Sequence, residues 1–232
     1  MTAADEAIAQ IRRRILSGSL RAGSKLQQEQ LALELGMSRI PVRDAIRTLA
    51  SEGLIRLQPR RTAVVAPVSQ DDLAELYELR GAIEPLASAQ ALAHMGPSDF
   101  LRMRGFLRTM QETDDHLVWL QANDDFHACL FENSGRPRMI ALLRQAREQT
   151  RRYTGIRMAD GRADLDAEHR LILVAAERRD AQAVEALVRA HLISAFTVLR
   201  RELGDSDHAE VSSPAEAGEE EVAARTNRRA VE

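Results

Sequence analysis

Two short amphipathic segments separated by a glycine constrain this chain more than any other feature of its sequence. The first segment, residues 27–35, has apolar residues at helical spacing and stops at Gly36, a residue type that suits the left-handed end of a helix. The second segment begins after Ser38, which can cap a helix. A helix, a short glycine turn and a second helix together indicate a helix-turn-helix. The apolar face of the second helix consists of Val42, Ile46 and Leu49.

Further elements around this pair predict a complete small domain. Isoleucines recur at helical spacing over residues 8–16 and predict a preceding helix. Residues 54–57 and 63–66 are predicted as two short strands, and the loop between them is basic at Arg60 and Arg61. We therefore expect a winged helix-turn-helix domain over residues 1–67.

The formal charge is distributed unevenly along the 232 residues. Residues 1–66 contain 11 Lys and Arg against 6 Asp and Glu, a charge of +5, whereas the remaining residues contain 21 against 29, a charge of -8. A basic module joined to an acidic one is typical of a nucleic-acid reader attached to a sensing or oligomerising domain. Arg39, Arg43 and Arg47, spaced by four, form one polar stripe that can face a major groove. The alternative is an ordinary helical hairpin with a solvated arginine face.

The rest of the chain has the composition of a helical protein. Aromatic residues make up only 3% of the chain. This low content disfavours β-sandwich and β-barrel folds, because their strands are rich in aromatic residues. Residues 68–203 are predicted as an all-α bundle, so the fold class is mainly α. Residues 204–232 have no apolar periodicity and are predicted as a disordered tail. About six helices are expected, near residues 70–95, 97–113, 115–133, 136–159, 163–179 and 180–203.

Three histidines of the predicted bundle lie on apolar helix faces. His127, His169 and His191 each point inward by periodicity, and Asn123 precedes His127 by one helical turn. Buried imidazoles need partners, and three on separate helices can converge on a metal ion. The alternative is a set of hydrogen-bonded core histidines without a metal.

Compartment signals are few. The single cysteine, Cys129, cannot form an internal disulfide, which favours a reducing cytoplasm. The longest apolar runs, residues 63–68 and 171–176, are far shorter than a membrane span. The N-terminal residues are acidic where an export signal would be basic, so we expect no export signal. We expect a cytoplasmic protein with no membrane partner.

The first domain resembles a known family. The run SRIPVRDAIRTLASEGLI, within residues 8–69, is similar to the winged-helix domain of GntR-family bacterial transcription regulators. The resemblance implies that Arg39 and Arg43 contact base edges or phosphates, that Ser38 contacts a phosphate, and that Arg60 and Arg61 lie in the wing. Thr62 departs from the family, which usually has glycine at that position of the wing turn.

The second domain resembles the FCD effector domain of the FadR-type branch. The segments LQANDDFHACLFENSGRP, DAEHRLILVAAERRDAQAV and ALVRAHL are similar to its three metal-ligand motifs. The resemblance implies a divalent ion, with zinc expected and nickel or another metal open, beside a ligand cavity. Neutral Asn123 replaces an acidic ligand, and Asp124 is an alternative oxygen donor. The implied ligands are Asn123, His127, His169 and His191.

A metal held by neutral ligands keeps its full charge, which favours an anionic effector such as a small carboxylate. Arg80 and Arg152 are candidate contacts to that effector, because either can clamp a carboxylate. The alternative for both is a surface or interface arginine. The predicted function is a homodimeric DNA-binding regulator, expected to be a repressor on a palindromic operator.

Two other function classes stay open at this point. One is a constitutive DNA-binding protein whose metal site only stabilises the bundle. The other is a metal-dependent hydrolase, which is disfavoured because the sequence has no HExxH motif and no glutamate placed as a general base. We therefore predict that the protein is not an enzyme.

Overall fold

A computed structural model describes residues 2–58, 62–154 and 162–211. Nine helices and three short strands make up these residues, in two adjoining domains. The bounds are α1 Ala3–Leu16, β1 Lys25–Leu26, α2 Gln28–Glu34, α3 Arg39–Ser51, β2 Ile55–Gln58, β3 Thr62–Val65, α4 Gln70–Ala91, α5 Pro97–Glu112, α6 His116–Glu132, α7 Pro137–Thr154, α8 Arg162–Glu177 and α9 Ala181–Val211.

The N-terminal domain is the predicted winged helix-turn-helix. Helices α1, α2 and α3 enclose a core of aliphatic side chains, and Gly36 between α2 and α3 takes the left-handed conformation with φ 64°. The wing strands β2 and β3 pair antiparallel, with Ile55 opposite Val65 and Gln58 opposite Thr62. Strand β1, which we did not predict, adds to the other edge of β3.

The second domain is the predicted helical bundle. Its six helices, α4 to α9, share one apolar core that includes Trp119, Phe126 and Tyr153. Helices α4 and α9 pack along each other, and α8 packs on both α5 and α9. This arrangement places the inner faces of α6, α8 and α9 around one point in the interior.

The structure corrects the predicted end of the bundle. Helix α9 continues to Val211, so the predicted tail of residues 204–232 begins inside a helix. A glycine lowers helix stability by only about 1 kcal/mol, so Gly204 does not have to end the helix. Gly204 lies beside Gln70 at the start of α4. Residues 212–232 lie outside the described residues.

Helix α9 also contains the one described stretch, Ala181–Gly204, that is long and apolar enough to cross a membrane, with a mean hydropathy of 1.2. Its residues Val184, Val188, Leu192 and Leu199 belong to the core of the bundle. Packing of a long core helix therefore accounts for its apolar composition.

Candidate functional site

The second helix of the helix-turn-helix, α3, presents the predicted arginine stripe to solvent. Val42, Ala45, Ile46 and Leu49 are buried on its inner face, and the arginines are exposed on its outer face. The Arg39 side chain is 70% exposed and the Arg43 side chain 51%. We call Arg39, Arg43 and Arg47 the recognition stripe.

The start of α3 differs in one detail from the prediction. Ser38 occupies the N-cap position, but its hydroxyl makes no capping hydrogen bond. The exposed hydroxyl is therefore available to a partner. Arg39 forms an ion pair with Glu29 of α2.

The predicted wing contacts belong to the sequence between β2 and β3. Arg60 and Arg61 lie outside the described residues. Thr62 begins β3 and pairs with Gln58. Arg179 is the only residue other than glycine with positive φ in the part of the chain that the structure describes, so Thr62 is accommodated as an ordinary strand residue.

The structure brings the three predicted histidines together in the interior of the bundle. His127 from α6, His169 from α8 and His191 from α9 are at most 5% exposed, and their ligand nitrogens lie within 4.8 Å of one another. The Nε2 atoms of His127 and His169 are 3.1 Å apart. Two nitrogens bound to one zinc-like ion at typical lengths are about 3.0–3.4 Å apart. The cluster therefore has the spacing of a metal centre.

Each histidine also has a carboxylate on its Nδ1 side. Glu168 is 2.8 Å from Nδ1 of His191, Glu84 is 3.3 Å from Nδ1 of His127, and Asp166 is 3.8 Å from Nδ1 of His169. Only the His191 contact is a hydrogen bond, because Nδ1 of His127 and Nδ1 of His169 have no hydrogen-bond partner among the described residues. A carboxylate on Nδ1 orients an imidazole for metal binding through Nε2. The donor set therefore fits an ion that accepts nitrogen ligands.

Burial keeps two of the imidazoles neutral. Desolvation, reinforced by the charge of Arg147, lowers the pKa of His127 well below its ordinary value. Desolvation and the neighbouring His191 lower the pKa of His169 to about 4. Neutral imidazole is the form that binds metals.

A small cavity of about 30 Å³ opens beside the histidines. This volume holds a metal ion or about two water molecules. His127, His191 and the predicted ligand Asn123 line it. The predicted alternative donor Asp124 also lines it but is held by Arg147 at 3.0 Å and by Arg151 at 3.1 Å.

The predicted effector contact Arg80 lies in the same cavity. It donates from Nε to Glu84 at 2.9 Å, and Arg147 donates to the other oxygen of that carboxylate at 2.7 Å. Burial favours the neutral form of Glu84, but the two guanidinium charges outweigh burial and hold its pKa well below the ordinary value. Arg80, Arg147 and Arg151 therefore give the cavity three permanent cations.

The other predicted effector contact, Arg152, is elsewhere. It is buried at the junction of the two domains, where Nη1 donates to the carbonyl oxygen of Gly53 at 2.8 Å and Nη2 to Asp72. Helical periodicity indicated that Arg152 is buried but could not tell which surface buries it. The structure does not bring it to the histidine cavity.

Several residues around the histidines and the cavity were not predicted from the sequence. Glu84 shares a helix face with Arg80 at an i,i+4 spacing, and Asp166 precedes His169 by three, so local spacing gave a signal for both. Arg147 meets Glu84 across 63 residues of sequence, a contact for which spacing gives no signal.

Comparison with known proteins assigns both domains. The family model described as bacterial regulatory proteins, gntR family, matches residues 3–65, and the FCD domain model matches residues 75–194. The chain belongs to the GntR family and carries an FCD domain. GntR-family proteins are DNA-binding transcription regulators rather than enzymes, which confirms the predicted class. The place of the chain in the FadR-type branch stays a prediction.

Similar proteins support the assignment to the GntR family. The HTH-type transcriptional regulator BphR of Paraburkholderia xenovorans is 30% identical over 203 residues, 82% of each chain. The gluconate operon transcriptional repressor of Bacillus licheniformis is 40% identical over 75 residues, 32% of this chain and 30% of its own. The solved structure of Escherichia coli McbR/YncC has a TM-score of 0.75 at 21% identity, covering 88% of this chain and 99% of its own. The similarity to the McbR/YncC structure shows that the two proteins share a fold.

Proposed function

We propose that this GntR-family protein is a cytoplasmic homodimeric repressor whose helical domain binds a small carboxylate at or near a divalent metal and thereby changes operator affinity. The observation that carries the proposal is the convergence of three buried histidines beside a cavity lined by three arginines. Burying histidines and arginines is costly compared with burying apolar side chains, and both sets of side chains can bind a charged ligand.

The metal would be held by Nε2 of His127, His169 and His191, with the amide oxygen of Asn123 as a further donor. Imidazole ligands suit zinc and also nickel, and we propose zinc. Bound there, the ion would supply a positive charge and an open coordination position to a ligand in the cavity. Glu84, Asp166 and Glu168 would fix the imidazole orientations.

The charge of the cavity favours an anionic effector. Its lining contains three guanidinium groups and one carboxylate, that of Asp124, while Glu84 and Glu148 pair with these arginines from outside the lining. Guanidinium groups bind carboxylates through paired hydrogen bonds. Because the cavity holds only about 30 Å³, an effector larger than two water molecules has to displace lining side chains.

The exposed recognition stripe supports DNA binding by a dimer. Two copies of α3 placed one helical turn apart would contact a palindromic operator, with Arg39, Arg43 and Arg47 facing the major groove. Ser38 would contact a phosphate, and Arg60 and Arg61 would extend the contact from the wing. A repressor role is proposed by analogy with the Bacillus licheniformis gluconate repressor, which matches 75 residues of this chain.

The proposal is tested by measuring metal content together with thermal stability. Purified protein is assayed for bound metal, and small carboxylates such as acetate, citrate and gluconate are screened for their effect on Tm with and without a chelator. We expect bound metal and a carboxylate that raises Tm only in metal-loaded protein. His169→Gln should abolish both effects, whereas His94→Gln, an exposed histidine outside the cluster, should leave them unchanged.

The remaining outcomes separate the alternatives. Chelation that lowers Tm while no carboxylate changes DNA affinity would favour a constitutive DNA-binding protein with a structural metal. Absence of both metal and stabilising carboxylate would contradict the sensor function and leave the DNA-binding function standing.

A further inference from the structure

Helix α7 contacts both the histidine cavity and the DNA-binding domain. Arg147, Thr150, Arg151 and Thr154 line the cavity, and their i, i+3, i+4, i+7 spacing places them on one helix face. Around the helix from this face, Glu148, Gln149 and Arg152 contact the winged-helix domain. A single rigid element therefore connects the two sites.

Arg152 contacts the turn that follows the recognition helix. Helix α3 ends at Ser51 and is capped by Glu52, and Arg152 donates to the carbonyl oxygen of the next residue, Gly53. Arg152 is only 5% exposed, so water screens this contact little.

Gly53 allows the two domains to approach closely at this point. It has a positive φ of 82°, and a Cβ atom added to it would lie 2.6 Å from Nε2 of Gln149. That distance is far below van der Waals contact. The turn after α3 is therefore in contact with the Gln149 side chain of α7, at the edge of an open groove that Ser51, Gly53 and Arg152 also line.

A second arginine reinforces the same junction. Arg12 of α1 donates to Glu148 of α7 at 2.8 Å and to Glu52, the C-cap of α3, at 2.5 Å. The end of α3 is thus held by two guanidinium groups, one from each domain.

The junction also includes the segment that links the domains. Asp72, in the first turn of α4, accepts hydrogen bonds from Arg152 and from the hydroxyl of Tyr153. The same hydroxyl accepts from the backbone N–H of Ser69 at 3.4 Å. Arg152 consequently joins the start of α4, the end of α3 and α7 at one point.

We propose that α7 couples the cavity to the DNA-binding domain and that Arg152 is the positioning residue through which it acts on the recognition helix. The inference rests on the proposed function, because it explains how an effector in the cavity would change operator affinity. A ligand that engages Arg147 or Arg151 has to move their side chains in so small a cavity, and α7 carries both. Packed interfaces respond to such shifts by exchanging between discrete arrangements.

The coupling is testable without any ligand by a double-mutant cycle in the full-length, chelator-treated protein. Asp124→Asn perturbs the cavity face of α7, because it removes the charge that holds Arg147 and Arg151. Its effect on amide hydrogen exchange of residues 48–54, at the end of α3, is measured in three backgrounds: wild type, Arg152→Met and Arg144→Met. Arg144 is the matched control, since it lies on α7, is 63% exposed and pairs only with Glu132 among the described residues.

We expect Asp124→Asn to change protection at residues 48–54 about fivefold or more in the wild-type and Arg144→Met backgrounds. In the Arg152→Met background the change should fall below about twofold. Equal changes in all three backgrounds, or no change in any, would overturn the proposal. A purely structural role for Arg152 would lower protection but leave the response to Asp124→Asn intact.

Two measures keep the result decisive. Circular dichroism establishes whether Arg152→Met folds, and if it does not, Arg152→Lys replaces it, because lysine keeps the charge but cannot reach Gly53 and Asp72 at the same time as a planar guanidinium does. The cycle uses neither metal nor effector. A protein that binds no metal but shows the coupling would therefore contradict the proposed function alone.

Discussion

The arginines of the two domains differ in what surrounds them. The recognition stripe is exposed and has only surface partners, such as Glu29 for Arg39. Arg80, Arg147 and Arg152 are at most 6% exposed and bind buried or half-buried carboxylates. An exposed cation keeps its hydration and stays available to a phosphate, whereas a buried ion pair fixes the position of the elements that carry it. The same residue type is therefore open to external contacts in one domain and fixes the positions of packed helices in the other.

Removing a buried arginine should have the largest effect on stability. Arg147→Met leaves Glu84 with Arg80 as its only arginine partner among the described residues and deprives Asp124 of one of its two. Breaking a buried ion pair in this way costs about 3–5 kcal/mol. Urea unfolding at pH 7 should show a loss of that size. Arg144→Met on the same helix removes an exposed ion pair and should cost less than about 1 kcal/mol. Similar losses of stability in both variants would contradict the distinction between buried and exposed arginines.

The buried histidines of the helical domain should make its free energy of unfolding depend on pH, whereas the winged-helix domain contains no histidine. The folded-state pKa of His169 is lowered to about 4 by burial and by His191, against about 6.5 in the unfolded chain. The folded state therefore resists protonation, so this stabilisation is complete above pH 6.5 and is lost as pH falls toward 4. The loss should reach about 3 kcal/mol, at about 1.4 kcal/mol per pH unit.

This dependence is measured by urea unfolding of chelator-treated protein between pH 7.5 and 4. His169→Gln should flatten the profile and His94→Gln should not. An unchanged slope in His169→Gln would show that folding does not lower the pKa of His169.

Most of the fold could be predicted from local pattern. Predicted helices of the bundle agree with the structure closely at their starts, because capping residues and prolines mark them, as Ser69 does for α4 and Pro97 for α5. Strand β1 was missed because its two residues show no alternation, and it exists only because β3 offers a free edge. The end of α9 was misplaced because apolar periodicity is lost after Gly204, although the helix continues to Val211.

The histidine site was predicted from the sequence only in part, because sequence periodicity reports burial but not contacts. Periodicity identifies which side chains are buried, and this was sufficient to bring His127, His169 and His191 together. It carries no information on which neighbour buries a residue, so Arg152 was assigned to the cavity although it faces the domain junction. Long-range partners such as Glu84 and Arg147 depend on the packing of α4 against α7, which only the tertiary structure supplies.

Within the recognition stripe, Arg43→Ala should affect binding and leave folding unchanged. Arg43 is exposed and has only a 3.7 Å contact with Asp44, so the free energy of unfolding should change by less than about 0.5 kcal/mol. Loss of a contact to a base or phosphate should weaken operator binding by about 1–3 kcal/mol. Binding is measured by fluorescence anisotropy on a duplex selected from random sequences. Unchanged affinity would remove Arg43 from the DNA contacts.

The smallest expected effect concerns the partner of an exposed arginine. Glu29 pairs with Arg39, and both side chains are at least 70% exposed, so Glu29→Gln should change stability by less than about 0.5 kcal/mol. The same substitution frees Arg39 from a carboxylate that competes with phosphate for it. Operator affinity should therefore rise about two- to fivefold, and most at low salt, because screening weakens the competition. Glu75→Gln removes an equal charge from the exposed surface of α4 and should leave affinity unchanged. An equal rise in both variants would assign the effect to net charge, whereas a rise confined to Glu29→Gln would show that Arg39 exchanges a surface partner for DNA.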